Sequence, residues 1–217
     1  MKQAGTVVVV SGPPWSGKST QARNIARLCK CPILDFGDEL RGKIKKDSEF
    51  NSAIGRGMDS GEYVTNDIIF DFFDEISEQL LNNPHNGYPV RMVLVGFPRT
   101  FSQVNYLAEK LGDSYTFVHI CLILKKEKII IRRQRTQNYA SDRLGRKDDE
   151  RHNFEIRWKG YTKETEPVLK HLDNLSQASL SLNTASMSRS QVFREIKQFI
   201  KGIFSPSFQK SFTTAKV

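Results

Sequence analysis

Gly12-Pro13-Pro14-Trp15-Ser16-Gly17-Lys18-Ser19 has the pattern G-x-x-x-x-G-K-[ST], and its flanks decide how to read it. An apolar run at residues 6–10 comes first and reads as a buried strand. Residues 19–30 follow and read as a helix, with Ala22, Ile25, Ala26 and Cys29 on one face. A strand, a glycine-bounded loop and a helix together make a phosphate-binding loop. The glycines let the backbone turn tightly and aim its N–H groups inward. The helix N-terminus adds partial positive charge where an anion would sit. In this reading Lys18 reaches the terminal phosphates of a nucleoside triphosphate, and Ser19 ligates its Mg²⁺.

Outward from this loop, strands and helices alternate. Residues 6–11, 32–35, 91–96, 117–124 and 178–182 read as strands. Residues 38–46, 51–60, 65–82, 101–111, 127–135, 149–172 and 188–203 read as further helices, the last capped by Ser188. Phe72 and Phe73 belong to an apolar stripe and read as core. The alternation predicts an α/β fold of three layers, a five-stranded parallel sheet with helices on both faces. Ligands in such folds bind beyond the carboxyl ends of the strands. The phosphate loop follows the first strand, Asp35-Phe36-Gly37-Asp38 the second and Gly96-Phe97-Pro98-Arg99 the third. All three should meet at one cleft.

Composition narrows the class. The 217 residues suit one domain at 1–204, followed by a polar, basic tail at 205–217 that reads as disordered. Cys29, Cys31 and Cys121 have neither disulfide nor zinc spacing, so they read as ordinary thiols of a reducing compartment, and the cytoplasm is expected. No apolar run reaches membrane-spanning length, and the N-terminus lacks a secretory layout. The 33 basic residues exceed the 24 acidic ones, a net charge of +9 that invites a nucleic-acid reading. However, the excess concentrates at residues 125–151 and in the tail, and a cleft that clamps two phosphorylated ligands needs several arginines. Neither nucleic acid nor membrane is expected as a partner. His85, His119, His152 and His171 show no metal or triad spacing and receive no role.

Four segments, in order, resemble the adenylate kinases and related nucleoside monophosphate kinases. Besides the phosphate loop, Val93-Leu94-Val95-Gly96-Phe97-Pro98-Arg99-Thr100-Phe101-Ser102-Gln103 resembles the family signature, and Phe36-Gly37-Asp38-Glu39-Leu40-Arg41 its T-G-D-L-L-R element. Arg146-Lys147-Asp148-Asp149 with Arg157 resembles the lid-closing arginines, and Tyr161 to Pro167 the end of the family's long helix. The resemblance implies a monophosphate-binding insert at 36–70 and a short lid at 136–147, too short and too poor in cysteine for a zinc-binding one.

The resemblance also implies roles. Donor phosphates would lie on Gly12, Trp15, Ser16, Gly17, Lys18, Ser19 and Thr20, and the donor base against Arg132, with Arg135 as an approximate second phosphate ligand. Phe36, Arg41, Gly96, Arg99 and Gln103 would hold the acceptor monophosphate, Gln103 reading an adenine edge. Lys18, Arg99, Arg146 and Arg157 would stabilise the transferring phosphoryl. The implied reaction is Mg·ATP plus AMP giving two ADP, by a monomer.

Two positions depart from the family. Val95 stands where an aspartate normally holds Mg²⁺ through water, leaving Asp38 as the nearby substitute. Phe36 stands where adenylate members carry threonine. Two alternatives therefore stay open: an enzyme for UMP, CMP or a deoxynucleotide, and a nucleotide-binding module that has lost catalysis.

Overall fold

The computed structural model describes residues 5–60, 64–82, 89–136 and 151–204, without the side chains at 53, 56–60, 132–136 and 151–153. The expected lid, Arg146 and the tail lie outside the described residues, as do the side chains of Arg132 and Arg135.

Five strands form one sheet: β1 (Gly5–Ser11), β2 (Ile33–Asp35), β3 (Val90–Val95), β4 (Tyr115–Ile123) and β5 (Ala178–Asn183). Their order is β2-β3-β1-β4-β5, and every pairing is parallel. This is the expected α/β fold. A parallel sheet is covered on both faces, so its strands read as continuous apolar runs rather than alternating ones. Val7, Val8, Val9 and Val10 accordingly sit at 0–1 % exposure at the centre.

On one face, Val8, Val10, Val93, Val95, Ile120 and Leu122 pack against α1 (Lys18–Cys29) and α9 (Arg189–Ile203), through Ala22, Ile25, Val192, Ile196 and Ile200. The helix α9 starts in a full capping box, Ser188 and Gln191 satisfying each other's backbone N–H groups. On the other face, Val7, Val9, Leu34, Leu94 and Phe117 meet α2 (Phe36–Lys46), α3 (Ser48–Ser60), α4 (Asn66–Asn82), α5 (Phe101–Leu111) and α8 (Leu169–Leu175). An aromatic group anchors this side. Phe73 stacks on Phe97 at 4.6 Å, and Phe97 on Phe36 at 5.3 Å. Each such buried ring contributes about 1.5–3 kcal/mol from area alone. A small third cluster joins Ile129 of α6 (Lys126–Thr136) and Phe154 of α7 (Arg151–Gly160) to Leu124, with Trp15 and Trp158 packed beside it.

The single long helix expected at 149–172 is not uniform. After α7 the chain widens into a π-turn at Tyr161–Thr165, tightens into a 3₁₀ turn at Glu166–Val168, and resumes as α8. Pro167 explains the break. It has no N–H to give and its ring crowds the carbonyl four residues back. The Glu166 N–H bonds instead to the Tyr161 carbonyl, five residues back. None of the described helices is long and apolar enough to cross a membrane.

Candidate active site

The phosphate loop leaves β1 at the middle of the sheet and enters α1. Its backbone is unusual at three positions: Gly12 at φ +133°, Trp15 at +62° and Gly17 at +94°. Gly12 has no alternative, because a Cβ there would drive into the Leu122 carbonyl of β4. The Ser16 N–H donates to the Pro13 carbonyl at 3.2 Å and closes the loop on itself. Lys18 Nζ donates to the same carbonyl at 2.7 Å, which folds the ammonium back along the loop. Gly17 caps α1 without a side-chain hydrogen bond, leaving the first amides of that helix to an anion.

A cleft of about 1330 Å³, its open mouth included, runs from this loop along the carboxyl ends of β2 and β3. Gly12, Trp15, Gly17, Lys18 and Ser19 line one end. Phe36, Arg41, Gly96, Arg99 and Gln103 line the other, and Arg157 approaches from α7. Three strand ends thus converge as the alternation pattern demands. Ser16 and Thr20 do not reach the cleft wall: Ser16 is buried, its backbone committed to the loop, and Thr20 lies along α1.

The far wall is built by short local contacts. Arg99 Nε donates to the Gly96 carbonyl at 2.6 Å, fixing the base of the guanidinium. The Arg99 main-chain N–H donates to Gln103 Oε1 at 2.7 Å, and Gln103 Nε2 donates to Asn66 Oδ1 at 3.0 Å. Gln103, 5 % exposed, is therefore held in one orientation by α4 and by the turn before α5. Thr100 caps α5 by accepting from the Gln103 N–H. Gly96, at φ +82°, faces the Arg99 guanidinium, the Gly37 amide and the Phe36 Cβ, all within 3.7 Å of where a Cβ would stand. Arg41 is aimed by Asp38 at 2.5 Å, and Asp38 also pairs with Arg23 at 3.3 Å.

A family model described as Adenylate kinase matches residues 10–177. The chain belongs to the adenylate kinase family. A curated "Adenylate kinase" of Nocardia farcinica is 30 % identical over 172 residues, which cover 77 % of this chain and 86 % of that protein. One of Prochlorococcus marinus is 31 % identical over 166 residues, covering 76 % and 83 %. One of Phenylobacterium zucineum is 28 % identical over 166 residues, covering 76 % and 83 %. Adenylate kinase homology at this level supports phosphoryl transfer to a nucleoside monophosphate as the reaction class.

For an adenylate kinase fold, two placements bear on the sequence reading. Asp38, expected beside the metal, is not among the residues that line the cleft, and both its oxygens are engaged by Arg41 and Arg23. Phe36 does line the cleft but is 2 % exposed, held edge-on to Phe72 and stacked on Phe97, so it is core as much as wall.

Residues that the sequence left without a role also take part. Asp35, Tyr161 and Thr165 line the cleft, the last two presented by the π-turn. His119, given no role from spacing, sits fully buried between Ser11 and Asp173. Ser11 Oγ and His119 Nε2 are 2.6 Å apart, and His119 Nδ1 and Asp173 Oδ1 are 2.6 Å apart. Burial pushes the imidazole below its ordinary pKa, against a weaker upward pull from Asp173. Burial thus favours the neutral ring. In that form Nδ1–H donates to the carboxylate, and Nε2 accepts from the Ser11 hydroxyl. The contact is a hydrogen bond rather than an ion pair, and it ties the strand before the phosphate loop to α8. Sequence separations of 108 and 54 residues hid this chain from a motif search.

Proposed function

We propose that this protein transfers the terminal phosphoryl group of Mg·ATP to AMP, giving two ADP. The observation that carries the reading is the shared cleft. Lys18 and Ser19 stand at one end, Arg41, Arg99 and Gln103 at the other, and Arg157 also lines it. Phosphoryl transfer needs two nucleotides in line and cationic donors around the moving group, and covalent chemistry by the protein is not required.

Each group then has a task. The α1 amides and Lys18 would hold the donor phosphates. Arg41 and Arg99, each pre-aimed by a neighbour, would clamp the acceptor phosphate. Arg157 would meet charge that develops on the equatorial oxygens. The Gln103 amide, oriented by Asn66 and Arg99, favours an acceptor base that offers a donor and an acceptor side by side, as adenine does.

The donor set also suits Mg²⁺. Among the described residues no group of three or more His, Cys, Asp or Glu could hold a metal. Ser19 offers a single hydroxyl to the cleft. Such a sparse set fits an ion held mainly by phosphates and water. When bound, Mg²⁺ neutralises charge on the donor phosphates.

The test is product formation from Mg·ATP with AMP, UMP, CMP and GMP in parallel, against a Lys18→Ala control. ADP formation that depends on AMP and vanishes in the control is expected. Turnover with another base would move the specificity to the wall around Phe36. ATP binding with no turnover on any acceptor would overturn the kinase and favour a binding module. Buried, apolar Val95 at the β3 end is the feature that would support that second reading.

A further inference from the structure

Asp35 is the only carboxylate among the described residues that line the cleft. It ends β2 and is paired in register with Val95, which ends β3. Two residues earlier, Ile33 and Val93 pair in the same way and both pack on the α1 face. Side chains alternate along a strand, so Asp35 and Val95 return to that face, toward the end where Ser19 and Lys18 begin α1.

Two observations show that Asp35 has no structural occupation. It is the N-cap of α2, where an aspartate ordinarily accepts a backbone N–H, yet its side chain makes no capping bond. Its Oδ2 is buried and has no hydrogen-bond partner among the described residues. Asp38, three residues on, shows the contrast, with both its oxygens bound by arginines. An unpaired carboxylate facing a phosphate site would repel the ligand unless a cation lay between them. Mg²⁺ keeps much of its water when bound to phosphates, and such water donates well to a carboxylate.

We propose that Asp35 accepts hydrogen bonds from the water shell of the nucleotide-bound Mg²⁺, so that β2 supplies the charge that apolar Val95 cannot. The proposal rests on the kinase reading above and adds a residue to it. Asp35 is a positioning residue here: it touches the metal's water, while Ser19 touches the metal.

Mn²⁺ serves as the probe. Its affinity for the complex of the protein with a non-hydrolysable ATP analogue is measured by electron paramagnetic resonance. Analogue affinity without metal is measured by calorimetry in EDTA. The proteins are the wild type, Asp35→Asn and Asp35→Ser, each checked for folding by its melting curve. Loss of an outer-shell partner costs roughly 10–100-fold in metal affinity. We expect both variants to weaken Mn²⁺ by tenfold or more while metal-free analogue binding is unchanged or tighter. Mn²⁺ affinity within twofold of wild type in either folded variant overturns the proposal. An equal loss with and without metal also overturns it, because that pattern marks damage to the nucleotide site. If the wild type transfers phosphoryl groups yet the variants hold Mn²⁺ normally, only this proposal falls. If the wild type binds no nucleotide, the kinase reading falls with it.

Discussion

Replacing Arg99 with alanine isolates the acceptor end of the cleft. The Arg99 backbone N–H, which holds Gln103 Oε1 at 2.7 Å, survives the change. The guanidinium, with its bond from Nε to the Gly96 carbonyl at 2.6 Å, does not. Since Nε is occupied, a phosphate would meet the terminal nitrogens, in two parallel charge-assisted bonds. At about 1.5–3 kcal/mol each, the pair would contribute about 3–6 kcal/mol. The cleft is open and the side chain only partly buried, which favours the lower end of that range. A loss of roughly 3–4 kcal/mol is a 10²–10³-fold fall in kcat/KM. The assay is coupled ADP detection at varied AMP and saturating Mg·ATP, with ATP affinity measured separately by calorimetry. Arg99→Lys, which keeps the charge but loses the fork, should fall between wild type and alanine. A kcat/KM for AMP within tenfold of wild type in the alanine variant would refute the acceptor-site assignment, as would a parallel loss of ATP affinity.

Three further outcomes are expected. Phe73→Ala removes a fully buried ring stacked on Phe97 and should cost about 3–5 kcal/mol, lowering Tm by about 6–20 °C in a scanning melt; a drop under 3 °C would mean that the site collapses around the loss. Burial holds His119 below its ordinary value of 6.5, so the unfolded chain binds the extra proton, and stability is complete above about pH 6.5 and declines as pH falls toward the folded value. Melting at pH 7.5 and 5.5 should show that decline in the wild type and less of it in His119→Gln; equal declines would remove the histidine as the cause. Burial raises the Cys29 thiol to about 11 and Cys31 to about 12, so native protein at pH 7.5 should react slowly with iodoacetamide and denatured protein quickly. Rapid native labelling at either would contradict the packing around α1.

Legibility followed locality. The phosphate loop and the Gly96-Phe97-Pro98-Arg99 turn were readable because each packs its chemistry into a few consecutive residues at a strand end. The sheet was readable because β1, β3 and β4 each carry an apolar stretch, Val7 to Val10, Met92 to Val95 and Ile120 to Ile123, as burial on both faces requires. Asp35 was visible as a letter but not as a ligand: its role depends on registry with Val95, and register is a property of the paired sheet. Asp38 is more prominent because it lies inside a motif, although two arginines from different helices claim it. The π-turn that brings Tyr161 and Thr165 to the cleft was hidden inside a helical pattern that Pro167 disturbs without ending.

The two ends of the cleft rest on parts of the sheet with unequal mechanical support. The phosphate loop springs from β1, seven residues long and flanked by strands on both sides. The acceptor wall is carried partly by β2, three residues long at the sheet edge. In hydrogen–deuterium exchange, then, the amides of Val7 to Val10 should exchange only by global unfolding, and should slow with either nucleotide only as far as that nucleotide stabilises the whole fold. Those of Ile33 to Asp35 should open locally and slow when a monophosphate is added. The donor is received by a stiff anvil, and the acceptor by a leaf spring whose stiffness its own ligand sets.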